Sequence, residues 1–222
     1  MHKIIKKKEK IEIGINDKII VAGSFNIVHK GKGVILFAHG SGSSRFSHRN
    51  NYVANLLKDS NFNTLLIDLL TKEEEAIDLQ TAQLRFDIEL LAARVIAATE
   101  WLCQNKSIGR LPIGYYDAST GAAAALVAAS ELGDLISAVV SRGGRPDLAG
   151  DKLSKVKAPT LLIVGGEDHT VIEMNKDALG HLNVKKELSI IPGATHLFEE
   201  PGTLKQAALK AAEWFERYLS KK

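Results

Sequence analysis

Five short runs in this chain are largely apolar and show no polar alternation: Val34–Ala38, Asn63–Ile67, Pro112–Tyr116, Ile136–Val140 and Thr160–Val164. A strand of that kind has to be covered on both faces. The segments between the runs carry helical patterns. One spans about Ser47 to Lys58, with Val53, Leu56 and Leu57 on its inner face. In another, Leu84, Ile88, Leu91, Val95 and Leu102 recur at spacings of four, three, four and seven, which marks a long amphipathic helix. Small residues fill a third to about Ala129, a short helix covers Ile172–His181, and Leu204, Ala208, Ala211, Phe215 and Leu219 line a closing one. Alternating strands and helices imply a mostly parallel sheet with helices on both faces. Ahead of them, Ile11–Ile15 and Ile19–Ile27 read as strands joined by an Asn16-Asp17 turn, hence an antiparallel hairpin. With Lys186–Ile191 the count reaches eight strands. The Glu73–Glu75 run reads as a solvated loop or a helix start.

No repeat, linker or composition break divides the chain. The expected organisation is a basic N-terminal arm over residues 1–10 and one α/β domain over 11–222. A chain of 222 residues can bury a large core, and 45% apolar with 25% charged residues is ordinary for a globular protein. The net charge is only +3, and Lys3, Lys6, Lys7, Lys8 and Lys10 supply much of the excess, so nucleic acid is not an expected partner. No apolar stretch reaches membrane-spanning length, and the N-terminus lacks the apolar run of a signal peptide. The lone Cys103 cannot make an internal disulfide and reads as a buried small residue. A cytoplasmic monomer or homodimer is expected, needing no metal or cofactor.

In open parallel sheets, ligands bind outside the carboxyl ends of the strands. The polar candidates gather there: His39–Ser44, Asp68, Asp117–Thr120, Arg142–Asp147, Asp168 and His196. The stretch Leu111–Ala129 reads as strand, tight turn and small-residue helix, with Ser119 in the turn. That is the setting of a nucleophile elbow, G-x-S-x-G, with Asp117 standing in place of the first glycine and Gly121 as the second. A serine hydroxyl needs a base, and the base needs an orienting acid. Ser119, Asp168 and His196 follow one another in the order such hydrolases use, each just after an expected strand. Glu167 and Asp147 are rival acids. His39 reads as a structural residue, and His169 comes too early for the base. The oxyanion of a tetrahedral intermediate would take the N–H groups of Thr120, after the nucleophile, and of Ser41, in the glycine-rich loop after the third strand. Arg45, Arg142 and Arg145 lie near the expected mouth, where a guanidinium could hold an anionic substrate group or pair with a local carboxylate.

The segments LFAHGSGSSRFSHRNNYVANLL, YYDASTGAAAALVAA, VVSRGGRPDLA, APTLLIVGGEDHTVI and PGATHLFEEPG carry a resemblance to the α/β-hydrolase fold, and within it to the dienelactone hydrolase-like proteins. The resemblance extends from about Ile11 to Leu219. It implies Ser119 as nucleophile, His196 as base and Asp168 as acid. Dienelactone hydrolases proper use a cysteine nucleophile, so Ser119 implies a serine esterase. The expected activity is cleavage of small carboxylic esters, lactones or thioesters through an acyl-enzyme on Ser119, or transfer of that acyl group to another acceptor. Because relatives place a glycine at Asp117, the alternative expectation is a non-catalytic or weakly active binding protein on a hydrolase scaffold.

Overall fold

The computed structural model describes residues 6–16, 18–106, 108 and 110–219. Its strands are β1 (Lys6–Gly14), β2 (Ile20–Val28), β3 (Val34–Ala38), β4 (Asn63–Ile67), β5 (Ile113–Ser119), β6 (Ile136–Gly144), β7 (Thr160–Gly165) and β8 (Lys186–Ile191). They form one sheet in the order β1-β2-β4-β3-β5-β6-β7-β8. β1 and β2 pair antiparallel, as do β2 and β4, and every other pairing is parallel. Asn16 Oδ1 accepts from the N–H groups of Lys18 and Ile19 in the hairpin turn; Asp17 lies outside the described residues.

The strands alternate between two cores. Val34, Leu36 and Ala38 of β3 enter one, and Ile35 and Phe37 enter the other. The first core is closed by α3 (Ile88–Gln104), α4 (Thr120–Leu132) and Ala178 of α5 (His169–His181). The second is closed by α1 (His48–Asp59) and α6 (Thr203–Leu219) through Val53, Leu57, Ala208, Ala211 and Phe215. Continuous apolar strands are thus covered on both faces, as their composition requires. No helix among the described residues is long and apolar enough to cross a membrane.

Three expectations change and one open alternative is decided. Residues 6–10, expected in the basic arm, belong to β1, with Lys6 in register with Val28 and Lys10 with Ser24; charge on an edge strand discourages pairing with another sheet. Residues 1–5 lie outside the described residues. The acidic run starts a helix of its own, α2 (Lys72–Thr81), capped by Thr71 and Glu74 in a reciprocal box. Helix α3 begins at Ile88 behind the cap of Asp87, and Leu84 belongs to a separate 3₁₀ turn. Cys103 is exposed, because Leu102 beside it takes the inward position of the last turn.

Candidate active site

β5 continues to Ser119, and α4 starts at the next residue. A chain that passes from strand to helix without a loop must reverse within one residue, and Ser119 takes the turn at φ 52° and ψ −130°. A positive φ at a residue with a side chain is strained and persists only where its surroundings hold it. They do so through glycines. A methyl on Gly121 would sit 2.5 Å from His39 O and 2.6 Å from Ala38 O, and one on Gly40 would sit 2.6 Å from Ser119 Cβ. The first turn of α4 can therefore press against the end of β3. Thr120–Ala129 are buried without a break, which the small side chains permit.

His196 stands in the loop after β8 and Asp168 at the head of α5, after β7. Asp168 Oδ2 lies 2.6 Å from His196 Nδ1, which fixes Nδ1–H as the donor and leaves Nε2 free to take a proton. Asp168 is largely buried, whereas the imidazole is 44% exposed toward solvent. The loop is braced from below by Glu200, which accepts from Thr195 N at 3.0 Å and Thr195 Oγ1 at 2.6 Å. These bonds hold the Glu200 carboxyl below the usual carboxylate range. Ser119 and His196 line one open cavity, together with Gly40, Ser41, Arg142 and Gly143. Of the rival acids, Asp147 is engaged by Arg145 and Glu167 is exposed.

The loop after β3 meets the head of α4 where Ser41 Oγ and Thr120 Oγ1 hydrogen-bond at 2.9 Å. His39 sets this loop. Its Nε2 accepts from Leu69 N at 3.0 Å, so Nδ1 carries the proton and donates to Gly40 O at 2.9 Å. Burial is the main cause that pushes the His39 pKa down. Ser43 N also donates to Gly40 O. A trans peptide sends its N–H opposite its carbonyl, so pinning Gly40 O aims the Ser41 N–H the other way. Neither the Ser41 nor the Thr120 N–H is used in a loop or cap hydrogen bond among the described residues. A second cavity lies across this loop, lined by Ser41, Thr120, Leu69, Leu70, Leu79 and Leu91 among others.

The three arginines part company. Arg45 binds Asp68 through its backbone N–H at 2.7 Å and through its guanidinium. Arg145 grips Asp147 with Nε at 2.9 Å and Nη2 at 2.7 Å. Both are spent on local carboxylates. Arg142 belongs to strand β6 rather than to the loop after it, and only Arg142 of the three lines the Ser119 cavity.

Residues 20–220 match the model of the dienelactone hydrolase family. The chain belongs to the dienelactone hydrolase family. A dienelactone hydrolase crystal structure from Anabaena variabilis superposes on it with a TM-score of 0.94 at 55% identity, covering 96% of this chain and 99% of that one. The Pyrococcus furiosus esterase Pf2001 shares the fold at 17% identity, with a TM-score of 0.78 over 97% of this chain and 94% of its own. A Mycobacterium tuberculosis protein, provisionally named a phosphoribosyl transferase, is 52% identical over 96% of this chain. The chain spans about half the length of that curated relative, 47%.

Within this dienelactone hydrolase family member, Asp117 does not obstruct the elbow. It is fully buried in β5, in register with Ala38 and Ser141, and lines neither cavity. Neither carboxyl oxygen has a well-formed hydrogen bond. Burial, opposed by the Ala38 N–H, pushes the carboxyl well above the usual range and favours its neutral form. Sequence reasoning did not single out Glu200 or Asn175, whose buried Nδ2 donates to Gly144 O at 3.0 Å and Val171 O at 2.8 Å, tying α5 to the end of β6. Glu200 follows the base by four residues, close enough to suggest a loop brace; nothing local marks Asn175. Among the described residues, no group of three or more His, Cys, Asp or Glu is placed to hold a metal ion.

Proposed function

We propose that the protein is a serine hydrolase acting on small carboxylic esters, lactones or thioesters through an acyl-enzyme on Ser119. The observation that carries this reading is the strained turn of Ser119 at the head of α4, opening into the same cavity as a histidine held by Asp168 at 2.6 Å. In the reaction, His196 Nε2 takes the hydroxyl proton as Ser119 Oγ bonds to the substrate carbonyl carbon. The carbonyl oxygen becomes an oxyanion and is received by the N–H groups of Ser41 and Thr120. The positive end of the α4 dipole adds to that stabilisation. The tetrahedral intermediate then collapses. The alkoxide or thiolate leaves with the proton from His196, and a water, deprotonated by the same imidazole, attacks the acyl-enzyme and releases the acid. Asp168 keeps the imidazole in the productive tautomer and stabilises its charged form.

Family membership and the place of Asp117, buried in β5 and lining neither cavity, support an active elbow over a disabled one. The transferase name of the mycobacterial relative we assign to the part of that longer protein outside the matched segment, since the matched segment is a hydrolase fold. A fluorophosphonate probe tests the mechanism. The wild-type protein is expected to be labelled at Ser119, and Ser119→Ala to lose both labelling and at least ~10³-fold of ester turnover. Equal labelling of the variant removes Ser119 as nucleophile.

A further inference from the structure

The half-buried and buried arginines of this protein keep company with carboxylates: Arg45 with Asp68, Arg85 with Asp78, Arg94 with Glu74 and Arg145 with Asp147. Arg142 is the exception. The residue is 5% exposed, yet no carboxylate pairs with it among the described residues, and its buried Nε has no hydrogen-bond partner. A guanidinium taken out of water without a counter-charge is strongly disfavoured, and proteins normally pair such a group.

Among the described residues its neighbours supply no anion. Strand alternation puts Arg142 on the face of Tyr116 and Val140, the side of the second core. The Phe198 ring lies 5.3 Å from its guanidinium carbon. The Tyr116 hydroxyl, buried without a well-formed hydrogen bond, is the polar group that the guanidinium approaches; burial raises its pKa and the contact with Arg142 opposes the rise, but a neutral phenol supplies no counter-charge. Asp117, with its buried carboxyl, alternates to the opposite face with Tyr115. Gly143, next in the chain, packs against His196: a methyl there would sit 3.2 Å from His196 O. The unpaired cation thus borders the catalytic histidine and lines the cavity that holds Ser119.

We propose that Arg142 recognises an anionic group of the substrate, a carboxylate or phosphate carried on the same molecule as the ester bond that Ser119 attacks. The proposal rests on the hydrolase reading for the bond cleaved, and on Arg142 alone for the anion. Binding of such a group supplies the missing counter-charge, and a planar fork of N–H donors suits both oxyanions. Neutral esters of the same size leave the guanidinium unpaired and are the poorer substrates.

Matched pairs of esters test this with the wild-type protein alone. On the acyl side, the mono-4-nitrophenyl ester of glutaric acid is compared with 4-nitrophenyl valerate. On the alcohol side, acetylated 3-hydroxypropyl phosphate is compared with propyl acetate. In at least one pair the anionic ester is expected to lead in kcat/KM by roughly 10- to 100-fold, mostly through KM; the pair that responds tells carboxylate from phosphate. Arg142→Met should bring that ratio close to one, while Arg142→Lys should retain part of it. Equal turnover within both pairs, or a preference that survives Arg142→Met, overturns the proposal. Calorimetry on Ser119→Ala separates this from the chemistry. Monomethyl glutarate or inorganic phosphate should bind, and the additional Arg142→Met change should abolish it. If no ester is turned over but an anion binds through Arg142, the anion site stands and the hydrolase reading falls. If neither anion binds, the proposal is wrong whatever the protein hydrolyses.

Discussion

Asp117 lies in register with Ser141, and both side chains are fully buried without a well-formed hydrogen bond. A carboxyl there folds in its protonated form, since ionising it would place a bare charge in the core. Its pKa is raised in the folded state, so over the window from the ordinary carboxylate range up to that raised value the native chain binds more protons than the unfolded one. Stability contributed by this group is therefore full below the ordinary range and declines as pH rises, by up to about 1.4 kcal/mol per pH unit for one proton. Asp117→Asn keeps the shape and removes the titration. Urea melts from pH 4 upward should show the wild type losing stability relative to the variant, and ester turnover of the variant should stay within a few-fold. Parallel stability curves would show that Asp117 is not a buried acid. In the sequence this residue reads as an obstacle to the elbow, because the motif places it two positions from the nucleophile. Which face of the sheet it takes depends on how β5 sits between β3 and β6, and no local pattern around Asp117 carries that.

The junction of β5 and α4 works because backbone meets backbone. The space at Gly121 is closed by the carbonyls of Ala38 and His39, neither the end of a flexible side chain. Gly121→Ala should drive the first turn of α4 away from β3 and carry Ser119 and the Thr120 N–H with it. A displacement of about 1 Å at a catalytic group costs on the order of 10²-fold in rate, so kcat should fall by about that factor. Gly180→Ala serves as the control: it lies in α5 with no atom within 4 Å of the added methyl, and there kcat should be unchanged. An equal loss in both variants would assign the effect to helix chemistry rather than to the junction. This element was legible beforehand, since a strand, a serine turn and a run of alanines leave few other packings. Helix α2 was legible only as one of two alternatives, although Thr71 and Glu74 have the spacing of a capping box. The three glutamates by themselves fit a solvated loop as well as a helix start; Glu74 also reaches Arg94 of α3 at 2.7 Å, a partner twenty residues away.

At the scale of the molecule, eight strands and their alternation with helices could be read from apolar runs, but the order of the strands could not. That order is what brings Ser119, Asp168 and His196 together from the ends of β5, β7 and β8, with β6 and its arginine between. The same alternation binds the two cores into one unit. Val34 and Leu36 serve one face while Ile35 and Phe37 serve the other, and β5 and β6 divide likewise. Releasing the helices of either face exposes half of every central strand, so neither core has a stable form of its own. The two tryptophans report on the faces separately. Trp101 of α3 packs edge-on against Phe25 at 5.9 Å on the first face, and Trp214 of α6 donates to Pro159 O at 3.3 Å on the second. Trp101→Phe leaves a reporter of the second core, and Trp214→Phe leaves one of the first. In each variant, urea unfolding followed by fluorescence should coincide with unfolding followed by far-UV circular dichroism and with loss of fluorophosphonate labelling. If the remaining tryptophan of one variant instead changes at a separate midpoint while labelling persists, the faces unfold independently and the sheet does not couple them. Chains longer than about 150 residues often populate intermediates, so a single transition here would reflect strands shared by two cores.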